Sequence, residues 1–324
     1  MLIQDNVYGD EEIKEPVLLE LINSPTLQRL KGISQQGMPR EFYHREVFSR
    51  FDHSIGVLLL LRKLGASLNE QIAGVLHDIS HTAFSHVIDW VIGDPSKEDH
   101  QDNIFLDFLK KSEIPFILEK HSISLESTSD LESFTLLEKE APSLCADRID
   151  YSLRELIDLG YEKKVKFLVS NLTSVKGQVV FKTKEAAEDF GKSYAKLQRE
   201  HWAGNEAKAR YHILAEILRI ALDEKHLSLE DFHRTDEEIL AILANTDNKD
   251  ILNGLNRLKN GFTIKESREN GSGLELTKKF RYVDPEVFIS GELKTLSSIS
   301  KEYKTLIEKE KEHSKKVTRV DILD

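Results

Sequence analysis

The sequence predicts a mainly α-helical protein with a small β element. Apolar residues recur at spacings of three and four along several long stretches, which is typical of helices with one buried face. Strand signals are few and short, and only 7 prolines and 16 glycines interrupt the 324 residues. With 40% hydrophobic content, a chain of this length can bury a substantial core. We therefore expect a helical bundle.

The predicted elements follow one another along the chain. A weak extended segment, LIQDNVYG, comes first, and helical spacing follows in VLLELINSPTLQRLKGI, SIGVLLLLRKLGASLNEQIAGVLHDI, NIFLDFLKK and RYHILAEILRIALDEKHL. The best strand signal is GQVVFKT, near residues 177–183. Small and polar residues cluster at 93–99, 123–133 and 267–275, where we expect loops.

Charge density rises after about residue 230, first in FHRTDEEILAILANTDNKDIL and then in the terminal KEYKTLIEKEKEHSKKVTRVDILD. Highly charged stretches of this kind are typical of solvated helices. We therefore predict a main domain over residues 1–230 and a mainly helical extension over residues 231–324.

Composition restricts the classes of partner. The formal net charge of −11 opposes charge-driven binding to nucleic acid or to an anionic membrane, so an anionic substrate must meet locally placed Arg or Lys. The single cysteine, Cys145, excludes an internal disulfide framework and a multi-cysteine zinc site. Neither a secretory signal nor an apolar run of about 18 residues is evident, so we expect a cytoplasmic protein that does not enter membranes.

The segment VLHDISHTAFSH, residues 75–86, carries three histidines and one aspartate. If the preceding helix continues through it, His77 and His81 project from one face, and Asp78 can reach the same ion. A histidine on a helix is more often a surface or hydrogen-bonded residue than a ligand. Burying the three groups together is costly, however, unless they are paired or coordinated. On these residues alone, both interpretations stay open.

Two protein groups would hold a metal weakly, so a metal site requires further ligands from elsewhere. His53 in SRFDHSIGV and the pair Asp147 and Asp150 in ADRIDYSLRE are the candidates. Nitrogen and oxygen ligands of this kind suit Mn, Fe, Zn, Ni or Co better than a metal that prefers thiolates.

The H…HD…D pattern of His53, His77-Asp78 and Asp147 resembles the HD superfamily of metal-dependent phosphohydrolases. The phrases SRFDHSIGV, HDISHTAFSH and ADRIDYSLRE are similar to its deoxynucleoside triphosphate triphosphohydrolase branch, as is the segment that precedes them. The similarity runs to about residue 220. It implies an HD-domain helical bundle whose core spans about residues 45–160.

The resemblance implies that His53, His77, Asp78 and Asp147 hold a divalent transition metal, with Mg²⁺ as an open alternative. Asp147 is preferred to Asp150 because the family motif places its ligand at the first aspartate, ahead of the helix. Asp150 would then anchor that helix or support a ligand.

Further roles follow from the same resemblance. His81 and His86 match the phosphate-facing histidines of the family, and His100 matches a histidine close to the transferred group. His86 is our first choice as the general acid. Arg50 and Arg148 match positions that offer positive charge to the phosphates.

Four residues match positions that contact the sugar in the triphosphohydrolases: Gln35, Tyr151, Glu155 and Tyr211. The glycine that commonly precedes the second histidine of the HD helix is Ser80 in this chain, which a helix tolerates well.

The predicted function is therefore metal-dependent hydrolysis of a nucleotide or a related small phosphate ester. The most specific version of this prediction is hydrolysis of a dNTP to a deoxynucleoside and triphosphate. A nucleoside monophosphatase or a phosphodiesterase is the alternative within the enzyme class, and a nucleotide sensor without activity is the alternative outside it. A homo-oligomer agrees with the resemblance. The run EHWAGNEAKARYH could form a nucleic-acid patch, but its helical spacing favours a core-facing Trp202.

Overall fold

The computed structural model describes residues 1–43, 47–267, 273–276, 279–316 and 318–323. The chain is mainly helical, as predicted. Its helices are α1 (Pro16–Ile22), α2 (Pro25–Arg29), α3 (Arg40–Tyr43), α4 (Arg50–Lys63), α5 (Leu68–Leu76), α6 (Val87–Val91), α7 (His100–Lys111), α8 (Ile114–Lys120), α9 (Glu126–Ser129), α10 (Ala146–Asp158), α11 (Glu162–Asn171), α12 (Lys184–Leu197), α13 (Asn205–Asp223), α14 (Asp236–Ala244), α15 (Lys249–Asn260), α16 (Leu296–Ile299) and α17 (Lys301–Ser314).

Short strands and tight helical turns complete the fold. The strands are β1 (Leu2–Ile3), β2 (Glu11–Glu12), β3 (Leu172–Val175), β4 (Gln178–Phe181), β5 (Thr263–Glu266), β6 (Leu274–Leu276), β7 (Glu286–Ile289), β8 (Glu292–Thr295) and β9 (Thr318–Leu323). The 3₁₀ turns are Leu30–Gly32, Leu131–Ser133 and Leu229–His233, and Gln198–Trp202 forms a π-helical turn. Every helix among the described residues is too short or too polar to span a bilayer.

Helix α4 packs against both α5 and α10. Ser49 and Asp52 form a capping box at the start of α4, and the apolar run that follows is buried on all sides. Gly56 allows α10 to approach closely, since a Cβ at this position would lie 2.0 Å from Asp150 Oδ1. The absence of a side chain at Gly56 therefore brings the polar face of α10 against α4.

The histidine-rich segment after α5 is a turn and not a helix. Helix α5 ends at Leu76, so the helix does not continue through the motif, and the condition under which His77 and His81 would share one helix face is not met. Arg29 donates to the main-chain oxygens of Ile79 and His81 at 2.8 and 2.9 Å. Because a distant side chain satisfies these carbonyls, the main chain need not form helical hydrogen bonds at this point.

The strands form a two-stranded sheet of β1 and β2, a four-stranded sheet with the order β3-β4-β7-β8 and a three-stranded sheet with the order β5-β9-β6. Strand β4 confirms the predicted GQVVFKT strand. The region after residue 230 is less helical than expected, because it supplies β7, β8 and the whole three-stranded sheet. Residues 268–272 of the predicted loop at 267–275 lie outside the described residues.

The hairpin of β7 and β8 explains part of this difference. Its turn residues Ser290 and Gly291 have positive φ angles of 54° and 84°, which suit a tight two-residue turn. In β8, Glu292 and Lys294 alternate with Leu293 and Thr295, whereas β7 has a single charged residue followed by three apolar ones, of which Val287 is buried and Phe288 is exposed. In so charged a sequence, four-residue runs with so little regular alternation are easily missed as strands.

The hydrophobic core includes residues from both sides of residue 230. One cluster joins Val57 and Phe190 to Val287 and Tyr303. Tyr303 is fully buried, and its hydroxyl donates to the Val283 main-chain oxygen at 2.6 Å. The chain after residue 230 is therefore packed into the main body, and the predicted boundary there stays a prediction.

Candidate metal centre and cavity

Three side chains converge where α4, α5 and α10 meet. His53 projects from α4, His77 follows the last residue of α5, and Asp147 is the second residue of α10. Their ligand atoms all lie within 4.8 Å of one another. His53 Nε2 lies 2.9 Å from Asp147 Oδ1 and 3.2 Å from His77 Nε2. Asp147 was expected ahead of its helix, but α10 already begins at Ala146.

Asp78, the fourth predicted ligand, lies beside this cluster. Its carboxylate oxygens are 3.5 Å from His77 Nε2 and 3.8 Å from His53 Nε2. Asp78 Oδ2 also accepts from the Arg50 guanidinium at 2.6 Å, and both side chains are almost fully buried. The structure therefore brings together all four residues that the HD pattern selects.

The hydrogen bonds behind the two histidines orient both rings toward the same point. His53 Nδ1 contacts Asp150 Oδ2 at 2.7 Å, and His77 Nδ1 contacts the Gly74 main-chain oxygen at 2.8 Å. Because those oxygens only accept, each Nδ1 carries a hydrogen, and each neutral ring presents its Nε2 lone pair. Two such lone pairs beside the Asp147 carboxylate repel one another unless a cation lies among them. The donor set therefore fits a divalent metal ion.

When no metal ion is bound, protons take the place of a cation at this cluster. Burial lowers the pKa of His77, but the Asp78 and Asp147 carboxylates outweigh it and raise that pKa to about 9. The pKa of Asp147 lies well below its usual range, because hydrogen bonds from His53 and His77 outweigh the effect of burial. In the absence of a metal, the carboxylates therefore hold protons on the histidines.

His81 and His86 lie on the turn that follows His77. His81 Nε2 is 3.3 Å from Asp78 Oδ1, and its ring meets the edge of the His86 ring at 5.1 Å. Burial and the Arg50 charge hold the pKa of His81 well below its usual value. The His86 side chain is 25% exposed. Of the two, only His86 therefore has partial access to solvent.

A cavity of about 780 Å³ opens onto the cluster. Its wall includes the predicted ligands His77, Asp78 and Asp147 together with His81 and His86. The structure does not bring the predicted His100 to this wall. His100 is the first residue of α7, and its main-chain nitrogen donates to Asp89 Oδ1 at 3.0 Å.

Both arginines that were predicted to meet phosphate line the cavity. Arg50 donates to Asp78 Oδ2, to Ser85 Oγ at 2.9 Å and to the Gln35 main-chain oxygen at 3.1 Å. Its charge is therefore balanced by Asp78, and most of its donors already have partners.

Arg148 is engaged in a similar way. Its guanidinium donates to the main-chain oxygens of Lys139 and Ser143 at 3.1 and 2.6 Å and lies 3.1 Å from Cys145 Sγ. These contacts hold the chain that leads into α10. Arg148 thereby helps to position the predicted ligand Asp147, the residue before it in the chain.

The positions predicted to contact a sugar lie together on the cavity wall. Trp202 Nε1 donates to Glu155 Oε1 at 3.2 Å, and Gln36 donates to the same oxygen. The Tyr211 hydroxyl donates to the Gln36 main-chain oxygen at 2.6 Å. Trp202 packs against the core, as predicted, but it also lines the cavity, which the helical spacing did not indicate. All four predicted positions line the cavity: Gln35, Tyr151, Glu155 and Tyr211.

Comparisons with known proteins agree with this site. The HD domain model matches residues 50–151. The metal-dependent phosphohydrolase cns2 of Cordyceps militaris is 32% identical over 305 residues, which cover 90% of this chain and 86% of that protein. The chain belongs to the HD superfamily of metal-dependent phosphohydrolases.

Other proteins are similar to this HD phosphohydrolase over different parts of its length. The uncharacterized protein YdhJ of Bacillus subtilis is 38% identical over 326 residues, covering 100% of this chain and 99% of that protein. The deoxynucleoside triphosphate triphosphohydrolase SAMHD1 of Danio rerio is 36% identical over 103 residues, covering only 27% of this chain and 16% of that protein. A phosphohydrolase structure from Bacteroides thetaiotaomicron shares the fold, with a TM-score of 0.74, 19% identity and coverage of 100% and 99% of the two chains.

This HD phosphohydrolase is thus an enzyme that acts on phosphate esters and depends on a divalent metal. Family membership disfavours the alternative of a sensor without activity.

Part of the cavity wall comes from residues that the sequence did not indicate, namely Gln36, Glu98, Lys208, Lys279, Phe280 and Arg281. The run KFRY at residues 279–282, basic and aromatic within an acidic chain, is the one signal that could have suggested such a role.

Proposed function

We propose that this HD phosphohydrolase hydrolyses a phosphate ester of a nucleotide at a metal ion held by His53, His77, Asp78 and Asp147. The observation that supports the proposal most strongly is the pair of Nε2 atoms, 3.2 Å apart beside a carboxylate, at a cavity of about 780 Å³. Sites for small ligands typically have volumes of about 300–1,000 Å³. The cavity is therefore large enough for a nucleotide.

The chain's own residues prepare this chemistry. When bound, a divalent ion lowers the pKa of its water ligand and polarises a phosphoryl oxygen. Asp150 holds the His53 ring through Nδ1, and the Gly74 carbonyl does the same for His77. Arg50 holds the Asp78 carboxylate beside both rings. Side chains that are held in place in this way lose little conformational freedom when a substrate binds.

His86 is the residue we assign to protonate the leaving oxygen. It lines the cavity and keeps partial exposure, so a proton can reach it from solvent. His81 is less suitable as the acid, because its lowered pKa leaves it neutral near pH 7. His81 instead contacts Asp78, where it supports the metal ligand.

The sharpest form of the proposal is hydrolysis of a dNTP to a deoxynucleoside and triphosphate. The similarity to SAMHD1 supports it, as does the position of Gln35, Tyr151, Glu155 and Tyr211 on one cavity wall. Imidazole and carboxylate ligands favour Mn, Fe, Co, Ni or Zn as the ion, with Mg²⁺ as the alternative.

One observation favours a nucleoside monophosphatase or a phosphodiesterase instead. Arg50 and Arg148, the predicted phosphate contacts, have most of their donors engaged within the protein. A triphosphate needs more positive charge than these two residues leave available. The number of phosphates on the substrate is therefore the central question.

A hydrolysis screen tests the proposal, with one metal ion at a time and with identification of the products. Metal-free protein is loaded separately with Mn, Fe, Co, Ni, Zn and Mg and is assayed with dNTPs, nucleoside monophosphates and cyclic nucleotides. Intact tripolyphosphate from a dNTP supports the sharpest form, and orthophosphate from a monophosphate supports the alternative. If no ester is hydrolysed with any metal, the proposal is wrong.

A further inference from the structure

Three residues from distant parts of the chain form a buried ionic cluster in the cavity wall. Glu98 lies in the loop before α7, Lys208 lies on α13, and Arg281 precedes β7. Glu98 accepts from Lys208 Nζ at 3.0 Å and from the Arg281 guanidinium at 2.5 Å. Their side chains are 2%, 4% and 28% exposed, in that order, so Arg281 is the most accessible member. One negative and two positive charges leave this cluster with a net positive charge.

Lys279 lies beside this cluster and adds one further positive charge to its net charge. It lines the same cavity, and its ammonium donates to the Lys97 main-chain oxygen. The cluster and the proposed general acid, His86, line the same cavity. Arg281 and Lys208 outweigh burial and hold the pKa of Glu98 far below its usual range. A substrate that contacts His86 therefore lies near these cations.

These cations differ from Arg50 and Arg148 in one respect: Lys208 and Arg281 share the single Glu98 carboxylate, so one of their two charges is not neutralised within the cluster. Arg50 is paired with Asp78, and Arg148 binds main-chain carbonyls ahead of α10. Glu98, Lys208, Arg281 and Lys279 together carry two more positive than negative charges on the cavity wall, and the Asp102 and Asp89 carboxylates act on Lys279 from nearby. A negative group that extends beyond the metal centre therefore meets its counter-charge at this position.

We infer that Lys279 and Arg281 form an anion subsite, held in place by Glu98 and Lys208, that binds a second phosphate group of the substrate. This inference rests on the proposed function, since it specifies a nucleoside polyphosphate as the substrate of the same site. The subsite comes from the chain after residue 230, outside the matched HD domain at residues 50–151. The region expected to be a peripheral extension would thus decide how many phosphates the enzyme accepts.

Binding of inorganic phosphates tests this inference without turnover. The affinities of metal-loaded protein for orthophosphate and for tripolyphosphate are measured by calorimetry, for the wild type and for Lys279→Gln and Arg281→Gln. Loss of one charge-assisted contact should weaken tripolyphosphate binding by about tenfold in each variant. The affinity for orthophosphate should stay the same, because it occupies the metal centre alone. Lys294→Gln, an equivalent change on β8 away from the cavity, should alter neither affinity.

Two results would overturn the inference. One is an unchanged tripolyphosphate affinity in both variants, and the other is an equal loss for orthophosphate and tripolyphosphate. Arg281→Gln leaves the Glu98–Lys208 pair intact, and Lys279→Gln affects a less buried residue, so at least one variant should fold as the wild type does.

Measuring hydrolysis distinguishes a failure of this inference from a failure of the proposed function. A wild-type protein that hydrolyses nothing would refute the proposed function. An active wild type whose KM for nucleoside triphosphates is unaffected by both substitutions would refute this inference alone.

Discussion

Each histidine of the metal centre is oriented by an oxygen behind its ring. Asp150 contacts His53 Nδ1 and also accepts from Arg154 Nε at 2.8 Å, so the acceptor is itself held in place. Partners of this kind fix which ring nitrogen faces the metal. The residues that converge at this centre could be predicted from sequence, because the HD pattern names them directly, and their role as metal ligands stays a prediction. The support that Gly56 gives by admitting Asp150 could not, because it depends on how closely two helices approach.

Asp78→Ala and His86→Ala should separate metal binding from proton transfer. Loss of the Asp78 carboxylate removes a ligand and leaves Arg50 buried without its partner, so bound metal and hydrolysis should both fall by about 100-fold. His86→Ala should keep its metal and lose about 10²–10⁴-fold in rate. Metal content by mass spectrometry and hydrolysis rates provide the comparison, with the exposed Asp107→Ala as a control. Full activity in either variant would refute its assigned role.

The stability of the metal-free protein should decrease as the pH rises from about 6.5 to about 9. The pKa of His77 is higher in the folded state than in the unfolded chain, so the folded state binds its proton more tightly. This contribution is fully present below the unfolded value and is lost as the pH rises through the folded value. Thermal melts of metal-free wild type and His77→Gln across this range test it. A melting temperature that falls equally in both proteins would contradict the assignment.

Among the structural elements, the turn of residues 77–86 determines the geometry of the site. Asp236 on α14 accepts from the main-chain nitrogens of Phe84 and Ser34 at 2.7 and 2.9 Å. Phe84 has a φ angle of 59°, a conformation that most side chains avoid. The sequence predicted a continuous helix here because the apolar spacing runs up to the motif. The partner that holds the turn lies about 150 residues away, where local patterns carry no information about it.

Asp236→Ala should reduce stability and activity together while metal content is retained. The substitution leaves two buried main-chain donors without an acceptor, at a cost of about 1–3 kcal/mol each. The turn that carries His81 and His86 would then lose its position. Denaturant unfolding and hydrolysis rates measure the two effects, with the adjacent exposed Glu237→Ala as the matched control. Equal damage in both variants would show that Asp236 has no special role.

The chain after residue 230 completes both the hydrophobic core and the wall of the cavity. Its strand β7 pairs in parallel with β4 through Phe181 and Val287, and α17 packs on α12. The mainly helical class could be predicted from periodicity, since most helices carry one apolar face. The position of Lys279 and Arg281 could not, because it follows from a sheet that joins strands about 100 residues apart in sequence.

Tyr303→Ala should destabilise the protein by about 3–5 kcal/mol, as truncation of a buried aromatic ring does. Its ring packs against Gly191 on α12, and its hydroxyl contacts Val283, two residues beyond Arg281. Tyr303→Phe keeps the ring and loses one hydrogen bond, so about 1 kcal/mol is expected. Denaturant unfolding distinguishes the two variants. If Tyr303→Ala leaves the stability unchanged, the terminal helix is not part of the cooperative fold.

One metal centre, built from α4, α5 and α10, is proposed to hydrolyse a phosphate ester. The most direct test is a titration of metal-free protein with a single divalent ion, in which bound metal and nucleotide hydrolysis are measured in the same samples. We predict that both rise together and saturate at the same ion concentration. Hydrolysis by metal-free protein, or full metal occupancy without hydrolysis of any nucleotide, would contradict the account.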